Sequence, residues 1–326
     1  MQYFLLGLLA GGTLKVYSDS LKEKRHIIDK NKVRRLSKLN INKVPFVDVK
    51  EKYESQIQNF VIGIKENLPF VDLTNFNRNI EELKIRNYEF ISNVAGDFDP
   101  ENIVIRLSNE DVDNSLTHEL LHLASSIYTG DIGYIGFSQQ FDDFRFGDGL
   151  NEGYTSVLDN RYFNKNKSYL PIRAIVEAIE KIVGKDNMTK KYFEADLQGL
   201  INDLSKYCLE GKVYKLIKNI DFMLEAYSDF NKFDSSKKEL LQEKVDEIIL
   251  ILFECYANKL EIGINYGIVD NYEAVIIFEE FCNDLMVSYT IKKDMFCHFL
   301  TQELYDVVYD QNIHKLIDEK TKSIIN

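Results

Sequence analysis

From Pro171 to near the C-terminus the apolar residues recur at intervals of three and four, the repeat of one buried helix face. Segments 172–183, 190–209, 237–260, 272–289 and 295–316 all follow it, which predicts an all-helical C-terminal domain over 166–326. A chain of 326 residues exceeds the length at which one core usually stops growing, so one large or two modest domains are expected. With 45% hydrophobic and 28% charged residues but only 4 prolines and 16 glycines, collagen-like, low-complexity and disordered classes are excluded.

The N-terminal half mixes periods. Val49, Tyr53, Ile57, Phe60, Val61 and Ile64 predict a helix that Pro69 ends. Residues 88–94 and 102–107 read as short strands separated by the turn-rich GDFDPE. Polar residues 108–115 lead into a helix over 116–128 with Asp113 or Asn114 as N-cap. A glycine-studded loop, 130–149, precedes another helix at 150–163, and no internal repeat is present. The fold class read from these patterns is α+β and mostly helical. A small mixed sheet and its helices occupy 45–165, an all-helical domain follows, and 1–44 forms an N-terminal segment.

That segment holds an apolar stretch, 3–16, and a basic one, 22–38. The apolar stretch is shorter than the roughly 20 residues of a stable membrane span, and the basic residues follow it where a secretory signal has them in front. A cytoplasmic protein is the favoured reading, and secretion or anchoring through 3–16 is the alternative. The basic stretch reads as a solvated helix face. Forty Lys and Arg against 52 Asp and Glu give a net charge of -12, the wrong sign for a nucleic-acid binder and the right one for a cationic peptide partner. Cys208, Cys255, Cys282 and Cys297 form no CxxC pair, so they read as buried free thiols rather than a disulfide framework or metal site.

The residues that point to chemistry are Thr117-His118-Glu119-Leu120-Leu121-His122. On a helix, residues four apart lie about 40° apart around the axis and about 6 Å along it. His118 and His122 can therefore reach one metal ion while Glu119 faces a water on that ion. Zn²⁺ accepts neutral imidazole nitrogens, keeps a position open for water and lowers its pKa to about 7, so Glu119 can take the proton. A catalytic zinc needs a third protein ligand, and Glu152 in Gly149-Leu150-Asn151-Glu152-Gly153-Tyr154-Thr155 follows His122 after 29 residues.

HELLH followed by LNEGYT resembles the gluzincin zinc metallopeptidases, the thermolysin-like and aminopeptidase-like clan. The resemblance spans about fifty residues and makes 45–165 a zincin-like catalytic region. It implies His118, His122 and Glu152 as ligands of one Zn²⁺, Glu119 as general base, a peptide or protein substrate, and residues 102–107 as the edge strand on which an extended substrate pairs. Its cleft would lie between the catalytic region and the helical domain. The gap from His122 to Glu152 exceeds that of thermolysin, with 130–149 as the surplus. Where thermolysin-like enzymes place an Asp to hold a zinc histidine, this chain has Ser156, leaving Asp159 as the alternative. For oxyanion stabilisation His298, Tyr305 and Tyr309 are candidates without a signature.

Other zinc schemes fit less well. The metzincin pattern would need Gly and His where Ser125 and Tyr128 stand, and a deformylase-like cysteine ligand fails because no cysteine precedes Cys208. Asp131, Asp142, Asp143 and Asp148 stay open as aspartate ligands, with Glu152 preferred for its place at the start of a helix. His26 and His314 read as surface residues and His298 as core. Cys297 and His298, adjacent in sequence, point about 100° apart on a helix and make a poor nucleophilic pair. The aromatic residues, 19 Tyr and 21 Phe, lack basic neighbours and report core packing. The expectation is a zinc-dependent peptidase, an endopeptidase rather than an aminopeptidase because no GxMEN-like run precedes the motif. The alternative is an inactive protein of the same fold that binds peptides.

Overall fold

The computed structural model describes residues 48–88, 95–108, 112–129, 132–141, 144–164, 169–229 and 235–296. The sequence readings at 1–44, at His298, Tyr305, Tyr309 and His314, and at Cys297 lie outside these residues.

A 3-10 turn, Lys50–Tyr53, runs into α1, Glu54–Asn67, and buries Tyr53, Ile57, Phe60 and Ile64, the stripe that the spacing predicts. Leu68 leaves the helical region at φ -134°, as a residue before proline must. In α2, Thr74–Glu82, the Asp72 carboxylate starts the helix by accepting from the Thr74 N–H and hydroxyl at 2.9 and 2.6 Å.

Three strands follow: β1 (Lys84–Tyr88), β2 (Gly96–Asp99) and β3 (Val104–Ser108). Their order is β1-β3-β2, with β1 parallel and β2 antiparallel to β3, so the sheet is mixed as expected. Two strand assignments change. The first strand lies upstream of 88–94 and shares only Tyr88 with it, residues 89–94 being outside those described. GDFD is a strand rather than part of a turn. Its aspartates imitate turn chemistry, but Asp97 and Asp99 stand on one face and pair with Arg106 of β3 at 3.2 and 2.9 Å, while Phe98 is buried on the other.

Helix α3, Val112–Ala124, begins ahead of residue 116, so Asp113 and Asn114 sit in its first turn rather than before it. It also stops four residues short of 128. Ser125 Oγ donates to the Leu121 carbonyl and Ser126 Oγ to that of Leu123, both at 3.0 Å, and buried Asn79 donates to the carbonyls of Leu123 and Ser126 at 3.1 and 2.9 Å. These bonds satisfy groups that a helix end leaves open and release the chain into strands. The predicted loop 130–149 is mostly an antiparallel meander of β4 (Ser126–Thr129), β5 (Ile132–Ile135), β6 (Ser138–Phe141) and β7 (Phe144–Phe146). Strands of three or four residues are too short to show alternation in sequence.

Helix α4, Asp148–Phe163, matches the predicted 150–163. It is followed by α5 (Leu170–Val183), α6 (Lys185–Phe193), α7 (Leu197–Leu204), α8 (Glu210–Asp229), α9 (Ser235–Asn265) and α10 (Asn271–Phe296). The single helix expected over 190–209 is broken between α6 and α7, where Ala195 takes φ +54° and Asp196 caps the Gly199 N–H at 2.8 Å. Of the helix expected at 295–316, Met295 and Phe296 complete α10 and the rest lies outside the described residues.

Buried apolar residues from Tyr53 to Leu285 form one continuous cluster, with α4 packed against α3, α5 and α8. Among the described residues no helix is long and apolar enough to cross a membrane. The fold is α+β and mostly helical, and it brings a helix from each side of the meander together at one place.

Candidate metal centre

In α3 the leucines at 116, 120, 121 and 123 and Ala124 occupy the core, which orients the remaining face of the helix toward α4. That face carries His118 and His122. Glu152, in the second turn of α4, meets them from across the interface: its Oε2 lies 3.2 Å from His118 Nε2 and its Oε1 lies 3.5 Å from His122 Nε2, while the two Nε2 atoms are 3.1 Å apart. Both histidines are buried and Glu152 is partly open to solvent.

Two imidazoles and a carboxylate form a donor set for a first-row divalent ion. A four-coordinate ion with bonds of about 2.0–2.1 Å separates its donors by about 3.3 Å, close to the spacing found here. The group can hold a metal ion, and among the described residues it is the cluster of three such side chains. Burial by itself raises the Glu152 carboxyl, but the charges of His122 and His118 and the hydrogen bonds both rings make hold it well below the usual carboxylate range.

Asn151 orients His122. Its Nδ2 lies 3.2 Å from His122 Nδ1 and its Oδ1 accepts the Phe137 N–H at 3.2 Å. As placed, Asn151 Nδ2 donates to His122 Nδ1; ligation through His122 Nε2 would put the ring proton on Nδ1, which needs the amide oxygen there and gives up the bond from the Phe137 N–H. Gly136, at φ +52°, makes room for this amide, since a Cβ there would stand 2.3 Å from Asn151 Oδ1. Behind it, Thr155 Oγ1 donates to the Asn151 carbonyl at 2.8 Å and contacts the Tyr192 hydroxyl at 2.7 Å. Burial pushes the Tyr192 phenol far up, so it stays protonated and serves as a packing and hydrogen-bonding support.

Glu119 is buried beside its neighbouring histidine, and its carboxylate lies against the backbone of β2 at Gly96. Tyr169, held at φ +55° ahead of α5, brings its ring to 6.3 Å from that of His118. The N-terminus of α4 has no local side-chain cap. Instead the carboxylate of Asp221 in α8 accepts the N–H groups of Gly147 and Gly149 at 2.9 and 2.8 Å.

His118, His122 and Glu152 are thus brought together, with Glu119 adjoining. Asp148, an alternative ligand in the sequence, instead bonds Ser138 Oγ and faces Arg145 at 3.7 Å, while Asp131, Asp142 and Asp143 lie outside the described residues. Ser156 and Asp159 are buried in α4, where Asp159 interacts electrostatically with Arg173, and the group at His122 Nδ1 is Asn151. The expectation that 102–107 forms a substrate edge is overturned: β3 carries ladder bonds on both sides and is the central strand. Among the described residues the sheet edge nearest Glu119 is β2. Asn151 stood inside the quoted motif. Asp221, 72 and 74 residues from its partners, has no local signal.

Comparisons with protein-family models, curated proteins and solved structures found no match to the chain.

Proposed function

We propose that the protein is a zinc-dependent peptidase of the gluzincin type, an endopeptidase that cleaves extended peptides. The observation that carries this reading is the convergence of His118, His122 and Glu152 from two helices with Glu119 beside them. His118, His122 and Glu152 would hold the ion, which when bound supplies Lewis acidity and acidifies a coordinated water. Glu119 takes a proton on its carboxylate as water oxygen adds to the scissile carbonyl carbon, and it returns that proton to the leaving amine as the C–N bond breaks. The edge of β2 would align the peptide by strand addition, and the net charge of -12 favours cationic sequences.

The test begins with elemental analysis of the purified protein beside Glu152→Ala. One zinc per chain, lost in the variant, supports the ligand set, and absence of zinc after resupply sinks it. A peptide library then separates the two roles of such a site. Chelator-sensitive cleavage abolished by Glu119→Gln, with zinc retained, supports the peptidase. Zinc retained without cleavage of any peptide favours an inactive peptide-binding protein of the same architecture.

A further inference from the structure

A helix start leaves backbone N–H groups without intrahelical partners, and a nearby side chain usually accepts them. At α4 the N-cap position is Gly147, at φ +86°, which has no side chain to do so. Both oxygens of Asp221 take over, one on Gly147 N–H and one on Gly149 N–H. Their negative charge also stands where the helix dipole favours an anion. Gly149 lets the two helices close: a Cβ on it would lie 2.4 Å from the Ile220 carbonyl oxygen of α8. Asn151 and Glu152 follow within one turn, so whatever fixes this end of α4 fixes the amide on His122 and the carboxylate facing both histidines.

We propose that Asp221 is a positioning residue of the metal centre, through which the helical half of the chain sets the placement of Glu152 and Asn151. This rests on the metal-binding reading of His118, His122 and Glu152. Asp221 accepts from the backbone N–H groups of Gly147 and Gly149 and acts through the first turn of α4. A carboxamide at 221 can accept from one of the two N–H groups and turns a donor toward the other, so the helix start shifts while the side-chain volume is kept.

The probe is Co²⁺, titrated into metal-free wild type, Asp221→Asn and Ile217→Val, with thermal unfolding of each. Ile217 is fully buried in α8, so its variant controls for a loss of stability on the same helix. The expected result is a Co²⁺ affinity about tenfold weaker in Asp221→Asn with an altered visible ligand-field spectrum, and an affinity within about twofold of wild type in Ile217→Val. An affinity and spectrum in Asp221→Asn matching wild type overturn the proposal, as does an equal loss in Ile217→Val. If wild type binds neither Co²⁺ nor Zn²⁺, the metal reading itself fails and the role of Asp221 falls with it. Should Asp221→Asn not fold, Asp221→Ser, whose single hydroxyl can accept from only one of the two N–H groups, is judged by the same outcomes.

Discussion

Gly96 and Glu119 are in contact across the interface of β2 and α3: a Cβ built on Gly96 would stand 3.0 Å from Glu119 Oε1 and 3.1 Å from the Ser115 Cβ. A methyl group at position 96 would press on the carboxylate and shift it by a few tenths of an ångström. On the peptidase reading proposed above, Gly96→Ala displaces Glu119 without touching a ligand and lowers peptide hydrolysis about tenfold to a hundredfold while zinc content stays at the wild-type level. Turnover and metal content measured on one preparation check this. Loss of zinc in the variant would refute it.

Asn151→Ala removes the amide at His122 Nδ1 and the acceptor of the Phe137 N–H. Removing a group that orients a metal-bound histidine typically costs 10–100-fold in affinity, so zinc should bind about that much more weakly, as read by competition with a chromogenic chelator. Gly136→Ala should weaken binding in the same direction, because its new methyl group collides with the Asn151 side chain.

Glu247 on α9 accepts from Lys215 at 2.7 Å, Asn219 at 2.9 Å and Lys244 at 3.3 Å. Burial works against its charge, but these partners prevail and hold the carboxyl below its ordinary value of 4.5. A carboxylate more acidic in the folded state stabilises the protein above the unfolded value, and that contribution is lost as pH falls through the folded one. Glu247→Gln should therefore lower the melting temperature by about one or two degrees at neutral pH, the scale of a partly exposed ion pair. The gap between variant and wild type should close as pH drops below 4.5. A gap that persists in acid would show that the charge is not the cause.

Cys208 is half-buried and its thiol hydrogen-bonds to that of Cys255, which lowers the Cys208 thiol below its ordinary range. Cys255 is pushed up by the same bond and by burial, and burial together with the charge of Glu279 raises Cys282. Among these three cysteines, iodoacetamide should modify Cys208 first, at a lower pH than an ordinary thiol requires. Peptide-resolved mass spectrometry over a pH series reads this directly, and equal labelling of all three would contradict it.

His118 and His122 were legible as candidate ligands because both spacing and chemistry lie within five residues of a strongly periodic helix. Glu152 was legible because an acid next to Asn opens the following apolar helix. The strand at Gly96 was not, since its aspartates read as turn residues until Arg106 is seen to pair with them. The break at Ala195 was likewise hidden in a run of helical period. For β4–β7 each strand is too short for alternation to register, and pairing with its neighbours is what makes it a strand.

The sequence by itself determined the helical character of the C-terminal half, the two imidazoles four residues apart, and the kinds of donor available to a metal. These depend on side-chain chemistry and on a period repeated within one or two turns. Tertiary structure decided that Glu152 faces both histidines, that Asn151 lies on His122, that β2 lies against Glu119, and that Asp221 holds the start of α4. Each of these pairs depends on how helices and strands pack, and a side chain's partner across 29 or 72 residues is set by the shape of the whole core rather than by its neighbours in the chain.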